Sequence, residues 1–384
     1  MIERVVSKKI KYLSRKFPAV VVVGPRQSGK TTLCKALFPD KPYISLENAD
    51  NRQEALEDPR GFLGRFPKGA ILDEAQKAPV LFNYLQQILD DSKRNGLFIL
   101  TGSNHFLMME SVTQSLAGRI AIATLLPFCR SEVSEISKRL KTPWAHIFYG
   151  GYPRIFAAKL KPSDWYPAYV QTYLERDVRQ LKNVTNLAQF GKFMRLCAGR
   201  AGQELNMNAL ATELSVDSKT IQSWMSVLEM SFVVYLLKPY FKNFNKRVTK
   251  KPKLFFYDTG LACSLLGIQQ ESQLDHHPLR GALFENYVVM EILKNRMNAV
   301  MPDNLFHWRE SNQIEVDLLI DNGSKQIGLE IKSGNTFHPD FVKSLKSWNT
   351  FSGQKGGIVV YGGRTERTIL KTYSLTSWDN LSEL

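Results

Sequence analysis

The sequence predicts an α/β chain in three parts. A parallel sheet is built round a glycine-rich turn, a helical region follows, and a second α/β region closes on a charged hairpin. Three observations carry this reading. The apolar run Ala19–Val23 leads directly into Gly24, Pro25, Arg26, Gln27, Ser28, Gly29, Lys30 and Thr31, the pattern G-x-x-x-x-G-K-T, with helix-forming residues from Thr32 onward. Residues 206–237 alternate between helical periodicity and a short apolar run in the manner of a helix-turn-helix with a strand behind it. Near the C-terminus, Asn322-Gly323 separates two apolar runs that carry Asp317, Glu330 and Lys332.

The first observation is the most specific. A buried strand ending in a glycine-rich turn that opens a helix is the context a P-loop requires. Backbone N–H groups of such a turn converge on a phosphate, and the helix N-terminus adds partial positive charge. Residues 24–31 together with Thr32 are therefore the expected contacts for a nucleoside triphosphate. Lys30 would reach the β- and γ-phosphates, and the Thr31 hydroxyl would face Mg²⁺. A second apolar strand ends in Asp73-Glu74, 43 residues after Lys30, leaving room for an intervening helix and strand. Asp73 is placed to hold Mg²⁺ or its water, and Glu74 to polarise the attacking water. A third strand, residues 97–100, ends in Thr101-Gly102-Ser103-Asn104. Ligand contacts sit at such strand ends in doubly wound sheets, so Thr101, Ser103 or Asn104 could sense the γ-phosphate. Arg119, after a helix ending near Leu116, could stabilise developing phosphate charge in cis or from a neighbouring subunit; an ordinary surface arginine is the equal alternative.

Bulk properties bound the class. The chain has 384 residues, 43% of them hydrophobic, enough for two or three globular domains. Its apolar runs are too short to span a bilayer, and its start lacks a signal-peptide pattern. Four separated cysteines, with no C-x-x-C pair, indicate neither zinc nor a disulfide framework. A reduced, soluble, cytoplasmic protein is expected. The formal net charge of +15 points toward polyanionic partners, although surface lysines alone produce such an excess.

In the middle, prolines and glycines cluster around Gly150-Gly151 and Pro153, where helices are expected to begin. Residues 165–179 read as one amphipathic helix whose tyrosine stripe is core. The helix-turn-helix would place its first helix over 207–214, its turn at 215–217 and its second helix over 218–230, with Ser218 as N-cap. Residues 232–237 would be a wing. That unit serves DNA binding or protein contact equally well, and its second helix has only Lys219 as a basic residue near its start. Beyond it come Lys238, Lys242, Lys246, Arg247, Lys250, Lys251 and Lys253, with Tyr240, Phe241 and Phe244 among them and no acid. Charge with stacking surface suits nucleic acid; a solvated loop anchored by its aromatics is the even alternative.

In the last third, the hairpin brings Glu330 and Lys332 to one sheet face, with Asp317 on the partner strand. Two carboxylates and a lysine on one face could hold Mg²⁺ or Mn²⁺ and activate water for phosphodiester cleavage. Glu315 adds a further carboxylate. An exposed charged hairpin is the plain alternative.

The P-loop, Asp73-Glu74, the Thr-Gly-Ser strand end, Leu116-Ala117-Gly118-Arg119 and Leu126-Pro127-Phe128 together resemble one branch of the AAA+ ATPases. That branch is a widespread prokaryotic family of ATPases with a characteristic C-terminal region of poorly known function. The resemblance continues through Gly150-Gly151-Tyr152-Pro153, Tyr173-Leu174-Glu175-Arg176-Asp177-Val178 and the run from Lys253 to Leu261, covering nearly the whole chain. A guanine-contacting N-K-x-D and an L-S-G-G-Q-like signature are both missing, which disfavours GTPase and ABC-type readings. The hairpin is similar to that of PD-(D/E)XK nucleases, preceded by a helix over 281–293 that carries Glu285. That likeness implies metal binding by Glu285, Asp317 and Glu330, with Lys332 orienting water. The implied organisation is an AAA+-like P-loop NTPase domain over 1–140, a helical and winged-helix region over 141–265, and an α/β restriction-nuclease-like domain over 266–384. The expected activity is Mg²⁺-dependent ATP hydrolysis driving a switch on nucleic acid, with a homo-oligomer completing the ATP site. The alternatives are an ATP-regulated signalling or scaffold protein whose nuclease-like domain only binds, and an ATP-regulated metal-dependent nuclease.

Overall fold

Five consecutive apolar residues, Ala19–Val23, form β1, and all five are fully buried. A run of β-branched residues buried on both faces, here Val20–Val23, is what a central parallel strand requires, each valine contributing roughly 1.5–3 kcal/mol. The computed structural model describes residues 2–103, 108, 115–138, 140–173, 178, 186–240, 251–310, 314–382 and 384. Expectations that rest on Asn104, on 174–177 and 179, and on Phe241, Lys242, Phe244, Lys246, Arg247 and Lys250 lie outside the described residues.

The chain forms two compact units. The first takes Met1–Phe128 with Met230–Phe232 and Arg296–Pro302, and the second takes the remainder. In the first, β1 joins β2 (Tyr43–Ser45), β3 (Ile71–Asp73), β4 (Phe98–Gly102) and β5 (Ile120–Thr124). The sheet is parallel throughout, in the order β2-β3-β4-β1-β5. β4 therefore lies between the strand that feeds the P-loop and the strand that ends in Asp73. Helix α1 (Ser7–Ser14) buries Ile10 and Leu13, which belong to the apolar cluster that also contains Val20, Val22 and Leu33. The helix after the P-loop, α2, spans Lys30–Leu37, starting two residues earlier than Thr32. Gly29 accounts for the shift. Its φ of +93° turns the chain in the left-handed region, so Lys30 already sits in the first turn.

In the second unit a mixed sheet of eight strands has the order β12-β13-β11-β10-β9-β8-β6-β7. Its members are β6 (Val234–Pro239), β7 (Lys253–Phe256), β8 (Leu305–Arg309), β9 (Glu315–Asp321), β10 (Gln326–Lys332), β11 (Gly357–Tyr361), β12 (Arg367–Ile369) and β13 (Tyr373–Ser377). The expected hairpin is present. β9 and β10 pair antiparallel from Gln326↔Asp321 to Leu329↔Leu318, and Gly323 takes φ +80° in the turn. The helix Lys343–Ser352 packs Leu345 and Trp348 into a core with Val316, Leu319 and Val359.

Helices Met207–Leu214 and Ser218–Met230 stand where the helix-turn-helix pattern places them. One detail differs. The Asp217 carboxylate accepts from Thr220 N at 2.6 Å, so Asp217 caps the second helix, while the Ser218 hydroxyl donates to Asn208. The strand behind them, β6, pairs with β7 and also with β8, so it is continuous with the eight-stranded sheet. The tyrosine-bearing helix spans Pro162–Tyr173, beginning at a proline whose missing N–H costs nothing in a first turn. Trp165, Tyr166 and Tyr169 are buried, as the stripe predicted.

Two sequence signatures 107 residues apart close one knot. Asp258 accepts from Gly151 N at 2.7 Å, from the Tyr166 hydroxyl at 2.6 Å and from Leu261 N at 3.0 Å. A Cβ on Gly150, at φ +63°, would fall 2.0 Å from the Tyr166 hydroxyl, so glycine is required there.

Candidate functional site

The P-loop leaves the carboxyl end of β1 and curves tightly over the strand ends. Gly24 is packed so closely that an added Cβ would meet the Leu125 carbonyl oxygen at 2.1 Å. Gln27 takes φ 60°, a conformation that costs a non-glycine residue energy and persists where the surroundings enforce it. Lys30 is only 6% exposed, and its Nζ donates to the Gly24 and Pro25 carbonyls at 2.9 and 2.8 Å. Burial pushes the Lys30 ammonium down to about 8, against the opposing pull of Glu74 and Asp73. Gly24, Pro25 and Ser28 are buried, whereas Gln27 and Thr32 are exposed.

Sheet register brings the second group alongside. Val22 is level with Thr101 on β4, and Leu72 on β3 is level with Leu100, so Asp73 ends its strand beside Thr101. Asp73 accepts from three hydroxyls: Thr31 at 3.0 Å, Tyr43 at 2.7 Å, and Thr101. Thr31 and Asp73 thereby present adjacent hard oxygens, the donor set that suits Mg²⁺. Burial, then the Asp73 carboxylate, pushes the Tyr43 phenol up to about 12, so Tyr43 remains a donor. The next residue, Glu74, leaves the strand in the left-handed region at φ 55°. Its Oε2 accepts from Ser103 Oγ at 2.9 Å and from Gln76 Nε2 at 2.5 Å. Of the three strand-end candidates, Thr101 thus touches Asp73 and Ser103 touches Glu74.

Arg119 is elsewhere. It precedes β5, whose first residue is level with Ala19, at the amino end of the parallel strands. The P-loop begins after Val23, four residues further along, roughly 13 Å away along the sheet. Arg119 instead grips Asp90 through Nε at 2.6 Å and Nη2 at 2.8 Å. In cis, Arg119 therefore stands away from the P-loop, held by Asp90.

Sequence reasoning missed Arg4. Its guanidinium is 5% exposed and donates to Ser28 O at 2.8 Å and Leu126 O at 2.6 Å, with Phe128 beneath it at 4.7 Å. It ties the N-terminal segment to the underside of the P-loop. Gln76 was also missed. For Arg4, partners 24 and 122 residues distant leave no local pattern to find, whereas Gln76 meets Glu74 only two residues away.

The C-terminal candidates also come together, but differently. Lys332 Nζ lies 3.7 Å from Asp317 and pairs with Glu330, which accepts as well from the Ser344 hydroxyl. Asp317 accepts from Ile331 N at 2.7 Å. Glu285 is bound to Lys253, whose Nζ lies 2.5 Å from Glu285 and 2.6 Å from Glu315. Arg309 reaches Glu204 at 3.3 Å and Glu315 at 3.9 Å. Burial pushes Glu285 and Glu330 above the usual carboxylate range, with Lys253 and Lys332 pulling against it. Burial alone would lower Lys253, but the Glu285, Asp317 and Glu315 carboxylates outweigh it and hold Lys253 above its ordinary value. Among the described residues, no group of three or more His, Cys, Asp or Glu is arranged to hold a metal ion. The basic stretch is likewise partly internal: Lys238 and Lys251 are exposed, but Lys253 is buried and Tyr240 packs on Phe306 and Trp348.

Comparison with known proteins fixes the family. Residues 16–134 match the model of an AAA domain, 140–272 a domain of unknown function (DUF8612), and 280–380 a domain of unknown function (DUF4143). The uncharacterized proteins Rv2008c of Mycobacterium tuberculosis and Mb2031c of Mycobacterium bovis are each 31% identical over 335 residues, covering 86% of this chain and 73% of theirs. The chain belongs to their family. It is an ATP-binding, AAA+-like ATPase with a C-terminal DUF4143 domain. Among solved structures, the Walker-type ATPase PABY2304 of Pyrococcus abyssi superposes with a TM-score of 0.45 at 16% identity, over 69% of this chain and 96% of that one. AMPPCP-bound DnaA from Aquifex aeolicus gives a TM-score of 0.31 at 15% identity, over 59% and 86%. In this ATPase the DUF4143 match contains Glu285, Asp317, Glu330 and Lys332, and the AAA match contains the whole P-loop and Asp73-Glu74. No helix among the described residues is long and apolar enough to cross a membrane.

Proposed function

We propose that this ATPase hydrolyses ATP with Mg²⁺ and uses the cycle as a conformational switch. The observation that carries the reading is the orientation of Glu74. Ser103 and Gln76 hold its carboxylate at the strand ends, where the P-loop would receive phosphate. When ATP binds, Lys30 would leave the Gly24 and Pro25 carbonyls for the β- and γ-phosphates. Thr31 and Asp73 would hold Mg²⁺, which supplies charge neutralisation on the phosphate oxygens. Glu74 would accept a proton from the attacking water while Ser103 and Gln76 keep its oxygens aimed. Arg119 would serve the site of a neighbouring copy, releasing Asp90 to do so.

We further read the chain as three working parts, 1–140, 141–265 and 266–384, with the last two transmitting the nucleotide state to a partner. Net charge of +15 and the exposed Lys238 and Lys251 favour nucleic acid as that partner. The pairing of Lys253 with Glu285 and Glu315 favours a second reading, in which the C-terminal part only binds and a protein is the partner.

The test is ATP turnover by the full chain, measured across protein and salt concentrations, with and without single- and double-stranded DNA and RNA. Lys30→Ala should abolish nucleotide binding. Glu74→Gln should keep binding and lower turnover by about 10²–10⁴-fold. Unchanged turnover in both variants would sink the ATPase reading. Stimulation by nucleic acid that fades with salt supports the first partner; no stimulation by any of the four supports the second. Specific activity that rises with protein concentration, and loses that rise in Arg119→Ala, would show a composite site.

A further inference from the structure

The sequence resemblance of the C-terminal hairpin to metal-dependent nucleases calls for a divalent ion among Glu285, Asp317 and Glu330, and the residues present do not fit one. Every one of these carboxylates already faces an ammonium group or a hydrogen-bond donor. Asp317 and Glu330 face Lys332, with Ile331 N and the Ser344 hydroxyl as further donors. Glu285, on the helix Arg280–Asn298, faces Lys253.

Lys253 is what sets this cluster apart. It is 3% exposed and opens β7, opposite Leu237 of β6. Its backbone neighbours are tied on the other side as well. Leu205 N donates to Pro252 O at 2.8 Å, Leu254 N to Gln203 O at 3.0 Å, and Gly202 N to Leu254 O at 2.7 Å. The main chain therefore cannot swing this lysine away without breaking the sheet edge. Its Nζ lies within hydrogen-bond distance of Glu285 and Glu315, on carboxylate oxygens that a metal ion would need at 2.0–2.6 Å. Two cations cannot share those oxygens without strong mutual repulsion. Lys332 differs, being the more exposed of the two, with a side chain that is 36% accessible.

We infer that Lys253 is the resident cation of this cluster, standing where a divalent ion would bridge Glu285 to its neighbours. The C-terminal unit consequently binds no Mg²⁺ or Mn²⁺ there, and it recognises its partner without metal-dependent cleavage. Lys253 is a positioning residue: it holds Glu285 and Glu315 together and so fixes β7, β9 and the helix Arg280–Asn298 relative to one another.

Mn²⁺ binding to the full chain without nucleotide, followed by the electron paramagnetic resonance of free Mn²⁺, tests this. Wild type, Glu285→Gln and Asp317→Asn should bind the same number of ions, because any ion near Asp73 is common to all three. Lys253→Met should gain one Mn²⁺ site at least tenfold tighter than any in wild type, and adding Glu285→Gln should remove it. Loss of an ion from wild type on Glu285→Gln or Asp317→Asn overturns the inference. So does a folded Lys253→Met protein, by circular dichroism, that gains no site. Should Lys253→Met fail to fold, the three-way comparison of wild type, Glu285→Gln and Asp317→Asn still decides.

Discussion

Two lysines of this ATPase are almost equally hidden, Lys30 at 6% exposure and Lys253 at 3%, yet their surroundings are opposite. Lys30 donates to two neutral carbonyls, and burial lowers it to about 8. Lys253 donates to two carboxylates, which keep it above its ordinary value despite burial. A charge held by weak neutral acceptors is free to transfer to a stronger one, such as a phosphate. A charge held by two carboxylates is already committed. The first arrangement is that of a ligand site and the second that of a structural cluster, although the sequence presents both as lysines near functional motifs.

The largest expected effect follows from replacing each lysine by methionine and measuring unfolding by denaturant. Lys253→Met leaves the part-buried Glu285 and Glu315 without this ammonium, and losing one partner of a buried pair costs up to about 3–5 kcal/mol. Lys30→Met should change stability by less than about 1 kcal/mol in either direction. At neutral pH the folded protein holds Lys30 protonated at an unfavourable site, a cost of about 3 kcal/mol for a shift from 10.5 to about 8. Removing the ammonium relieves that cost and leaves two carbonyls short of a donor, and the two effects nearly cancel. Equal losses in the two variants would erase the distinction.

How legible the two sites were follows from the same contrast. The strand–turn–helix of the P-loop is legible because its physics is local: strand, turn, lysine and helix are contiguous, and the glycines at 24 and 29 occupy positions where backbone approach and a positive φ require them. Asp73-Glu74 is legible as a strand end, and a parallel sheet follows from the alternation of apolar runs and helices, although β2 and β5 give no signal of their own in the sequence. The partners that orient Glu74 were harder, since Ser103 lies 29 residues on and its hydroxyl is one of several at that strand end. Lys253 was misread as part of a basic stretch, because its acid partners stand 32 and 62 residues away and only β7 brings them together. Arg119 is illegible for a different reason. Its motif is short, and only strand register shows that it stands at the amino end of β5, away from the P-loop of its own chain. The Asp217 cap was missed by one residue, since Asp and Ser are equally good caps and sequence alone does not choose between neighbours.

A smaller effect should appear in the pH dependence of turnover. The protonated form of Lys30 pairs with phosphate, and the free protein loses that form as pH rises through about 8. The ratio kcat/KM for ATP, which reports the free protein, should therefore fall about tenfold per pH unit above that point. kcat at saturating ATP should stay level to higher pH, because bound phosphate restores the proton affinity of Lys30. For stability the sign is set by the same shift. The folded state binds fewer protons than the unfolded state between about 8 and 10.5, so the contribution of Lys30 to stability improves as pH rises across that window. An alkaline limb that is identical in kcat and kcat/KM would count against Lys30 as the phosphate contact.

The smallest contrast uses one substitution in both places. Ser103 and Ser344 each donate a hydroxyl to a carboxylate, Glu74 in the first case and Glu330 in the second. Removing a hydrogen bond of this kind is worth about 1–2 kcal/mol, and what that energy supports depends on the site. Ser103→Ala should let Glu74 turn away from the attacking water, lowering kcat about fivefold with KM for ATP and melting temperature little changed, because Gln76 still holds the same oxygen at 2.5 Å. Ser344→Ala should leave turnover alone and lower stability by about 1–2 kcal/mol, since Glu330 is 6% exposed and water does not easily replace the lost donor. Steady-state kinetics and denaturant unfolding on the two single variants and their combination separate the outcomes. If Ser344→Ala slows turnover as much as Ser103→Ala does, the cluster at Glu330 is coupled to the ATP site, and the division into one site that reacts and one that holds the fold must be abandoned.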